Sequence, residues 1–240
     1  MAGLRRFFVS NIGETAILEG EEFEHAKNVL RISVGDEVIL LDNSGKEFSA
    51  IVSSVDKKKM LLNVVSSTVG EREPKTEIAL VFGYLKNADK NEFIVQKAVE
   101  LGVNKIVCFS SEFSSAYMND NKLARLNKVS KEASKQCLRS FAPTVEYFDG
   151  LDLALDAVDG FTNKIFACEF ADGSDTDIKK LVGSTAIVVG SEGGFSREEE
   201  LLAKEKGFAS VTLGKRILRA ETACVALTSI VAFTLGEMSK

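Results

Sequence analysis

The sequence predicts an α/β protein built from two domains, a small β-rich domain followed by a larger domain with a parallel sheet. Two observations support this fold class. Short β-rich runs separated by turn residues fill about the first 70 residues. After the Glu-Arg-Glu-Pro stretch at residues 71–74, apolar strands alternate with longer helical segments, which is typical of strands joined by crossover helices. We therefore predict one domain over residues 1–72 and a second over residues 73–240.

In the first domain, the β-rich runs are predicted strands at residues 16–18, 37–41, 48–55 and 60–65. Turn residues at 42–45 and 56–59 separate the later strands. One helix is predicted over residues 21–29, and it carries His25 and Lys27. This arrangement favours a small β-barrel.

The second domain contains predicted strands at residues 78–84, 105–110, 164–168, 185–189 and 210–213, and predicted helices at residues 92–101, 122–138, 197–206 and 221–235. The first helix should end at Gly102, because glycine commonly follows the last helical residue. Ser196 is followed three residues later by Glu199, a pattern that predicts a capping box at the start of the third helix.

Composition and charge exclude several classes of protein. A net charge of −5 argues against a protein that coats nucleic acid nonspecifically, so any RNA contact must use local basic patches. The clearest patch runs from Lys122 to Arg139, where Glu132 is the single acid; it could equally be a solvated helix face. The amino terminus lacks a secretion signal, and the longest apolar run, residues 224–235, is shorter than the roughly 20 residues that span a bilayer. We expect a cytoplasmic protein without membrane attachment.

The soft metal ligands of the chain are too scattered to predict a metal site. Its cysteines are Cys108, Cys137, Cys168 and Cys224, which form no C-x-x-C pair. Only one histidine, His25, could join them. We expect reduced, mostly buried thiols and no bound metal.

The first informative motif is the sequence G-S-E-G-G-F-S at Gly190–Ser196, which follows the apolar run at residues 187–189. Open α/β sheets bind ligands at the carboxyl ends of their strands, and glycines let backbone amides approach a ligand closely. The motif is neither a P-loop nor a dinucleotide fingerprint. Glu192 would repel a pyrophosphate but suits a cationic ligand. A plain strand-to-helix turn remains an alternative.

The second motif is G-K-R-I-L-R-A-E-T-A at residues 214–223, which runs directly into an apolar helix. It sets three bases, Lys215, Arg216 and Arg219, beside Glu221. An ion pair at the helix start is the simpler interpretation. Because an exposed pair contributes only about 0 to 1 kcal/mol, stability is a weak reason for this concentration of charge.

Together the two motifs closely resemble the signature of the ribosomal small subunit methyltransferase E family, the uridine-N3 methyltransferases of 16S ribosomal RNA. The resemblance extends over the whole chain, through R-R-F-F-V at Arg5–Val9, H-A-K-N-V-L-R at His25–Arg31, Q-K-A-V-E-L-G-V at Gln96–Val103, and the residues Glu132, Gln136, Arg139 and Pro143. It implies a PUA-like β-barrel that holds RNA, followed by a SPOUT α/β-knot methyltransferase domain, in which a parallel sheet carries a trefoil knot. Because chains generally avoid knots, this expectation depends on the resemblance alone.

The resemblance further implies S-adenosylmethionine as cofactor, 16S ribosomal RNA or the small ribosomal subunit as partner, and a homodimer. The two motifs should fold against each other and form one cofactor pocket. The expected cofactor-binding residues are Leu85, Glu169, Val189, Gly190, Ser191, Glu192, Gly193, Gly194, Phe195, Leu213, Gly214, Ile217, Leu218 and Ala223.

Methylation at a uracil nitrogen requires that a proton leave and that the anion be held near the methyl donor. We predict that Arg219 stabilises this anion, and that Glu192 or Glu221 orients Arg219 or accepts the proton. All three residues could instead be purely structural. The predicted RNA contacts are Arg5, Arg6, His25 and Arg31 in the first domain and Arg139 in the second, although His25 could be an ordinary partly buried side chain.

Two positions depart from the family pattern. Ser191 stands where the family usually has proline, and Phe113 stands where it tends to have arginine. Two other functions remain open: ribose 2′-O-methylation of RNA by the same superfamily, and a noncatalytic RNA-binding or ribosome-assembly role. The two intact motifs argue against the noncatalytic role.

Overall fold

A computed structural model describes residues 4–113, 116–168 and 176–239. These residues form two compact units. The first unit contains the residues up to Glu73 together with Ser134–Ala142, and the second contains Pro74–Ala133 and the chain from Pro143 onward. The membership of Ser134–Ala142 in the first unit was not predicted from the sequence.

The first unit contains a five-stranded sheet. Its strands are β1 (Arg5–Phe8), β2 (Thr15–Glu19), β3 (Glu37–Leu41), β4 (Lys46–Val55) and β5 (Lys59–Val69). They lie in the order β1-β3-β4-β5-β2, with β1 parallel to β3 and the other neighbours antiparallel. Helix α1 (Gly20–Glu24) continues into a wider helical turn at His25–Val29, so the predicted helix is confirmed in this form.

The core of the first unit is formed by alternate residues of these strands. Along β2, Ala16 and Leu18 are buried while Ile17 is exposed, as expected for a strand with one face against a core. Phe7 and Phe23 complete this core from β1 and α1. The four predicted strands are present, but β1 was missed, because its two arginines break the apolar alternation that identifies a strand.

Glu73 holds the segment Ser134–Ala142 to the rest of the first unit. Its Oε2 accepts hydrogen bonds from Nε and Nη2 of Arg139 at 3.1 and 2.8 Å. Its Oε1 accepts from the backbone N–H groups of Ser140 and Phe141 at 2.8 and 3.0 Å. The Arg139 side chain is only 3% exposed, so this carboxylate is the acceptor for a buried guanidinium.

The second unit contains a six-stranded, fully parallel sheet in the order β11-β9-β10-β6-β7-β8. Its strands are β6 (Ile78–Gly83), β7 (Lys105–Phe109), β8 (Val145–Phe148), β9 (Asn163–Ala167), β10 (Thr185–Val189) and β11 (Ala209–Val211). The helices that follow Pro74 are α2 (Ala88–Glu100), α3 (Asp120–Cys137), α4 (Leu151–Asp156), α5 (Arg197–Glu205) and α6 (Ala220–Thr234). None of the described helices is long and apolar enough to cross a bilayer.

All five strands and four helices predicted for the second domain are confirmed. β8 and α4 were missed, because both are shorter than the periodic stretches that sequence patterns identify reliably. The capping box at α5 is also confirmed. Ser196 Oγ accepts from Glu199 N at 3.1 Å, and Glu199 Oε2 accepts from Ser196 N at 2.9 Å. This cap fixes the chain immediately after the first glycine motif.

Candidate functional site

A cavity of about 550 Å³ opens at the carboxyl-terminal edge of the parallel sheet. It lies where β9, β10 and β11 end, the edge at which open α/β sheets bind ligands. Both sequence motifs line this one cavity, as predicted. Its volume falls within the roughly 300 to 1,000 Å³ that is usual for small-molecule sites.

The first motif forms a tight loop that requires its glycines. Gly194 N donates to Ser191 O at 3.0 Å, and Gly194 has a left-handed backbone with φ of 69°. A side chain on Gly190 would begin 3.1 Å from the Gly194 backbone. A Cβ atom on Gly83, at the end of β6, would lie 2.5 Å from Ser191 N. The loop is therefore pressed against the end of the neighbouring strand.

The two departures from the family pattern both take part in contacts between this loop and its surroundings. Ser191 Oγ is 2.8 Å from Ser111 Oγ, in a buried hydroxyl pair that a proline could not form. Phe113 packs over Gly193, since a Cβ atom added to Gly193 would lie 2.5 Å from Phe113 Cβ. Both contacts connect the loop to the segment that follows β7.

The second motif forms a turn between β11 and α6. Gly214 has φ of 100° with open space around it, so glycine is required there for backbone conformation and not for room. Ile217 is 86% exposed, which leaves an apolar side chain available at the cavity wall. Lys215 and Arg216 are exposed beside it. The turn thus combines an apolar surface with positive charge.

Three charged residues lie in the cavity wall, two of them on helices. Arg219 immediately precedes α6 and is exposed. Glu221 lies in the first turn of α6, and its Oε1 pairs with Nζ of Lys90 on α2 at 2.9 Å. Burial raises the pKa of Glu221, but the Lys90 hydrogen bond, the helix backbone and the charge of Arg219 outweigh it, so the pKa lies below its ordinary value. Glu221 is therefore ionised at neutral pH.

Most of the predicted cofactor residues line the cavity. Those that do are Val189, Gly190, Ser191, Glu192, Gly194, Phe195, Leu213, Gly214, Ile217, Leu218 and Ala223. Leu85 does not: it is fully buried, and its backbone N–H and C=O pair with the Asn91 side chain at 2.9 and 2.8 Å. Gly193 faces Phe113 instead. Glu169 lies outside the described residues.

Several wall residues were not predicted, and Lys90 is the most informative of them. The pattern predicted that α2 begins at residue 92, which left Lys90 in a loop with no motif around it. Ala167 and Cys168 also line the cavity, at the end of β9. Their position at a strand end was the one signal that could have identified them.

The predicted RNA-contacting residues divide into two groups. Arg5 and Arg31 are exposed and His25 is half-buried, so all three are accessible. In contrast, Arg6 pairs with Glu47 at 2.8 Å with 9% of its side chain exposed, and Arg139 is buried against Glu73. Because both side chains are largely buried, Arg6 and Arg139 could contact RNA only after a local rearrangement exposes them.

Comparisons with known proteins give consistent matches over both units. The family model for the RNA methyltransferase domain matches residues 71–232. The family model for the RNA methyltransferase PUA domain matches residues 18–65. Ribosomal RNA small subunit methyltransferase E of Mesomycoplasma hyopneumoniae is 32% identical over 92% of this chain and 96% of its own length. The protein of the same name from Bacillus subtilis is 30% identical over 91% of this chain and 90% of its own length. A structure of that enzyme from Neisseria gonorrhoeae, bound to S-adenosyl methionine, has a TM-score of 0.83 at 27% identity and covers 97% of this chain and 98% of its own.

Proposed function

The chain belongs to the RNA methyltransferase family that includes ribosomal RNA small subunit methyltransferase E, and on this premise we propose that it transfers a methyl group from S-adenosylmethionine to the N3 atom of a uridine in 16S ribosomal RNA. The observation that carries this proposal is the cavity in which two separate glycine turns meet at the edge of the parallel sheet. The relative from Neisseria gonorrhoeae holds S-adenosyl methionine, which supports the same cofactor here.

The cofactor is proposed to lie between the loop at residues 190–195 and the turn at residues 213–218, held mainly by backbone groups. Phe195, the last residue of this loop, is buried in the core, and the centroid of its ring lies 4.1 Å from that of Phe166. When bound, S-adenosylmethionine supplies the methyl group on its sulfonium. Glu169 remains a proposed wall residue.

Gly194→Val is expected to lower cofactor affinity at least tenfold, because a β-branched residue is strained at the positive φ of Gly194. Isothermal titration calorimetry with S-adenosylmethionine measures this effect. Gly160→Val is the control, since Gly160 does not line the cavity, has no positive φ and has open space around it. Unchanged affinity in the Gly194 variant would count against backbone binding by this loop.

For the chemical step, Arg219 is proposed to stabilise the uracil anion that forms when N3 loses its proton. Of the two acids, Glu192 is the better proton acceptor. It is exposed, and its Oε1 accepts one hydrogen bond, from the backbone N–H of Lys86 at 3.1 Å. Glu221 is held in its ionised form by Lys90, which makes it a weaker base.

RNA binding is assigned to the domain over residues 1–72 and catalysis to the domain over residues 73–240. The accessible residues Arg5, His25 and Arg31 are the proposed RNA contacts of the first domain, and each phosphate contact would add to the salt dependence of binding. The exposed bases of α3 are further candidates. We propose that the protein acts in the cytoplasm on 16S ribosomal RNA or the small subunit.

A homodimer and a trefoil knot complete the proposal. One side of α6 is buried in the core, yet Ile230 and Phe233 are 44% and 72% exposed, which supports contact with a second copy; sedimentation equilibrium would measure this. β11 lies at the sheet edge beyond β9, but α6 returns to contact β10 and β6. This return of the chain supports a knotted path, which an experimental structure would test.

Mapping of methylated nucleosides in ribosomal RNA, from cells with and without this protein, tests the proposed reaction. We expect N3-methyluridine at one 16S position to disappear when the protein is absent. Loss of a 2′-O-methylated nucleoside instead would favour ribose methylation. An unchanged pattern, together with no binding of S-adenosylmethionine, would favour a noncatalytic RNA-binding or ribosome-assembly factor.

A further inference from the structure

The carboxylate of Glu221 has hydrogen-bonding capacity that the protein leaves unused. An ionised carboxylate can accept about four hydrogen bonds. Oε1 is occupied by Lys90 at 2.9 Å, whereas Oε2 is buried and has no hydrogen-bond partner in the part of the chain that the structure describes. Buried polar atoms are normally satisfied. Because Glu221 lines the cavity, the unused capacity of its carboxylate points to a donor from a bound molecule.

A turn of the carboxylate would bring its unpartnered oxygen toward the cavity without movement of the helix. The last torsion of a glutamate side chain is broad, so the carboxylate can turn about its Cγ–Cδ bond at little cost. The Glu221 side chain is 16% exposed and lines the cavity. Lys90, with 29% of its side chain exposed, fixes the position of the carboxylate from α2.

The charges of the cavity wall indicate which donor suits this site. Among the described wall residues the acids are Glu192 and Glu221, and the bases other than Lys90 are Lys215, Arg216 and Arg219. The bases suit a carboxylate or phosphate groups. An ionised carboxylate binds a charged donor more strongly than a neutral one. On the proposed cofactor, the charged donor is the ammonium group of the methionine part.

We infer that Glu221 anchors the cofactor by accepting a hydrogen bond from its ammonium group, and that Lys90 is a positioning residue that holds the Glu221 carboxylate in place. This inference rests on the proposed function, because it requires S-adenosylmethionine in the cavity. It also gives Glu221 a task distinct from proton transfer.

The test compares two ligands that share one nucleoside. S-adenosylhomocysteine carries the ammonium group, whereas 5′-methylthioadenosine lacks the whole amino-acid part. Glu221→Gln in the full-length protein is expected to weaken the binding of S-adenosylhomocysteine about tenfold or more, as measured by calorimetry. The affinity for 5′-methylthioadenosine should stay unchanged. If the amide oxygen stays on Lys90, the variant turns an amide N–H toward the ammonium. Retained binding of 5′-methylthioadenosine also verifies that the pocket is folded.

The role of Lys90 is tested by the pH dependence of S-adenosylhomocysteine affinity. In the wild type, affinity should fall as the pH decreases through the lowered pKa of Glu221, because the protonated acid loses its charge. Lys90→Met removes the largest of the influences that lower this pKa, so the fall should begin at higher pH, and Lys90→Arg should restore the wild-type pH profile. The other groups that face Glu221 are Arg219, which stays charged, and Cys224, whose pKa is raised by burial.

Lys97→Met is the matched control, because Lys97 lies on the same helix in an ion pair with Glu100, and neither residue lines the cavity. It should change neither affinity nor pH profile. If Glu221→Gln weakens the binding of both ligands equally, or of neither, the inference is overturned while the proposed function stands. If the wild type fails to bind S-adenosylhomocysteine, the proposed function fails first, and this inference with it.

Discussion

Arg219→Ala should lower the rate of methyl transfer by about 10²- to 10³-fold, the usual effect of removing one group that stabilises a developing anion. Arg219 lines the cavity immediately before α6, beside the ionised Glu221. Its side chain is exposed, so the substitution leaves no cavity in the core. The variant should therefore stay folded, and its cofactor affinity should fall much less than its rate. Single-turnover methylation of 16S ribosomal RNA measures the effect.

Arg216→Ala is the matched control for this experiment. Arg216 is an exposed arginine on the same turn, three residues earlier, so its loss changes the net charge of the cavity by the same amount. It should weaken RNA binding at low salt with a much smaller effect on the chemical step. A folded Arg219→Ala variant with normal cofactor affinity and full turnover would remove Arg219 from the mechanism.

Glu73→Ala is expected to destabilise the first unit by about 3 kcal/mol, because it removes the carboxylate that pairs with the buried guanidinium of Arg139. It also removes the acceptor of the backbone N–H groups of Ser140 and Phe141. Hydrogen exchange by mass spectrometry over β1 to β5 reports the stability of this unit separately from the other.

Glu71→Ala is the control for the stability experiment, since Glu71 is exposed two residues earlier in the same stretch. Its effect should stay within about 0.5 kcal/mol, the usual range for surface substitutions. The double variant Glu73→Met, Arg139→Met should recover part of the lost stability, because no unpaired charge remains buried. Equal effects of Glu71→Ala and Glu73→Ala would show that the ion pair contributes nothing.

Much of the fold was predictable, because local patterns determine it. β10 was predicted with its exact bounds, since Thr185–Val189 is a short, wholly buried run between turn signals. The capping box at Ser196 was equally local. The contact between Glu73 and Arg139 joins residues 66 positions apart, and no local pattern reports such a distance. The positive charge of Arg139 suggested a contact with RNA instead.

The candidate site was predictable only where a motif crossed it. The two glycine turns were identified because their residue types are unusual at the end of a strand. Lys90 carries no such signal, because a lysine near a helix start is common and its partner, Glu221, is distant in sequence. The packing of Phe113 over Gly193 likewise depends on which strands are neighbours in the sheet.

The close packing of Gly83 against Ser191 has a consequence for recognition. A loop already clamped by a neighbouring strand loses little conformational entropy when a ligand arrives, so more of the contact energy is retained as affinity. The same rigidity makes the pocket intolerant of bulkier analogues that need the loop to yield. The pocket would then distinguish nucleoside ligands by their shape, even when those ligands carry the same polar groups.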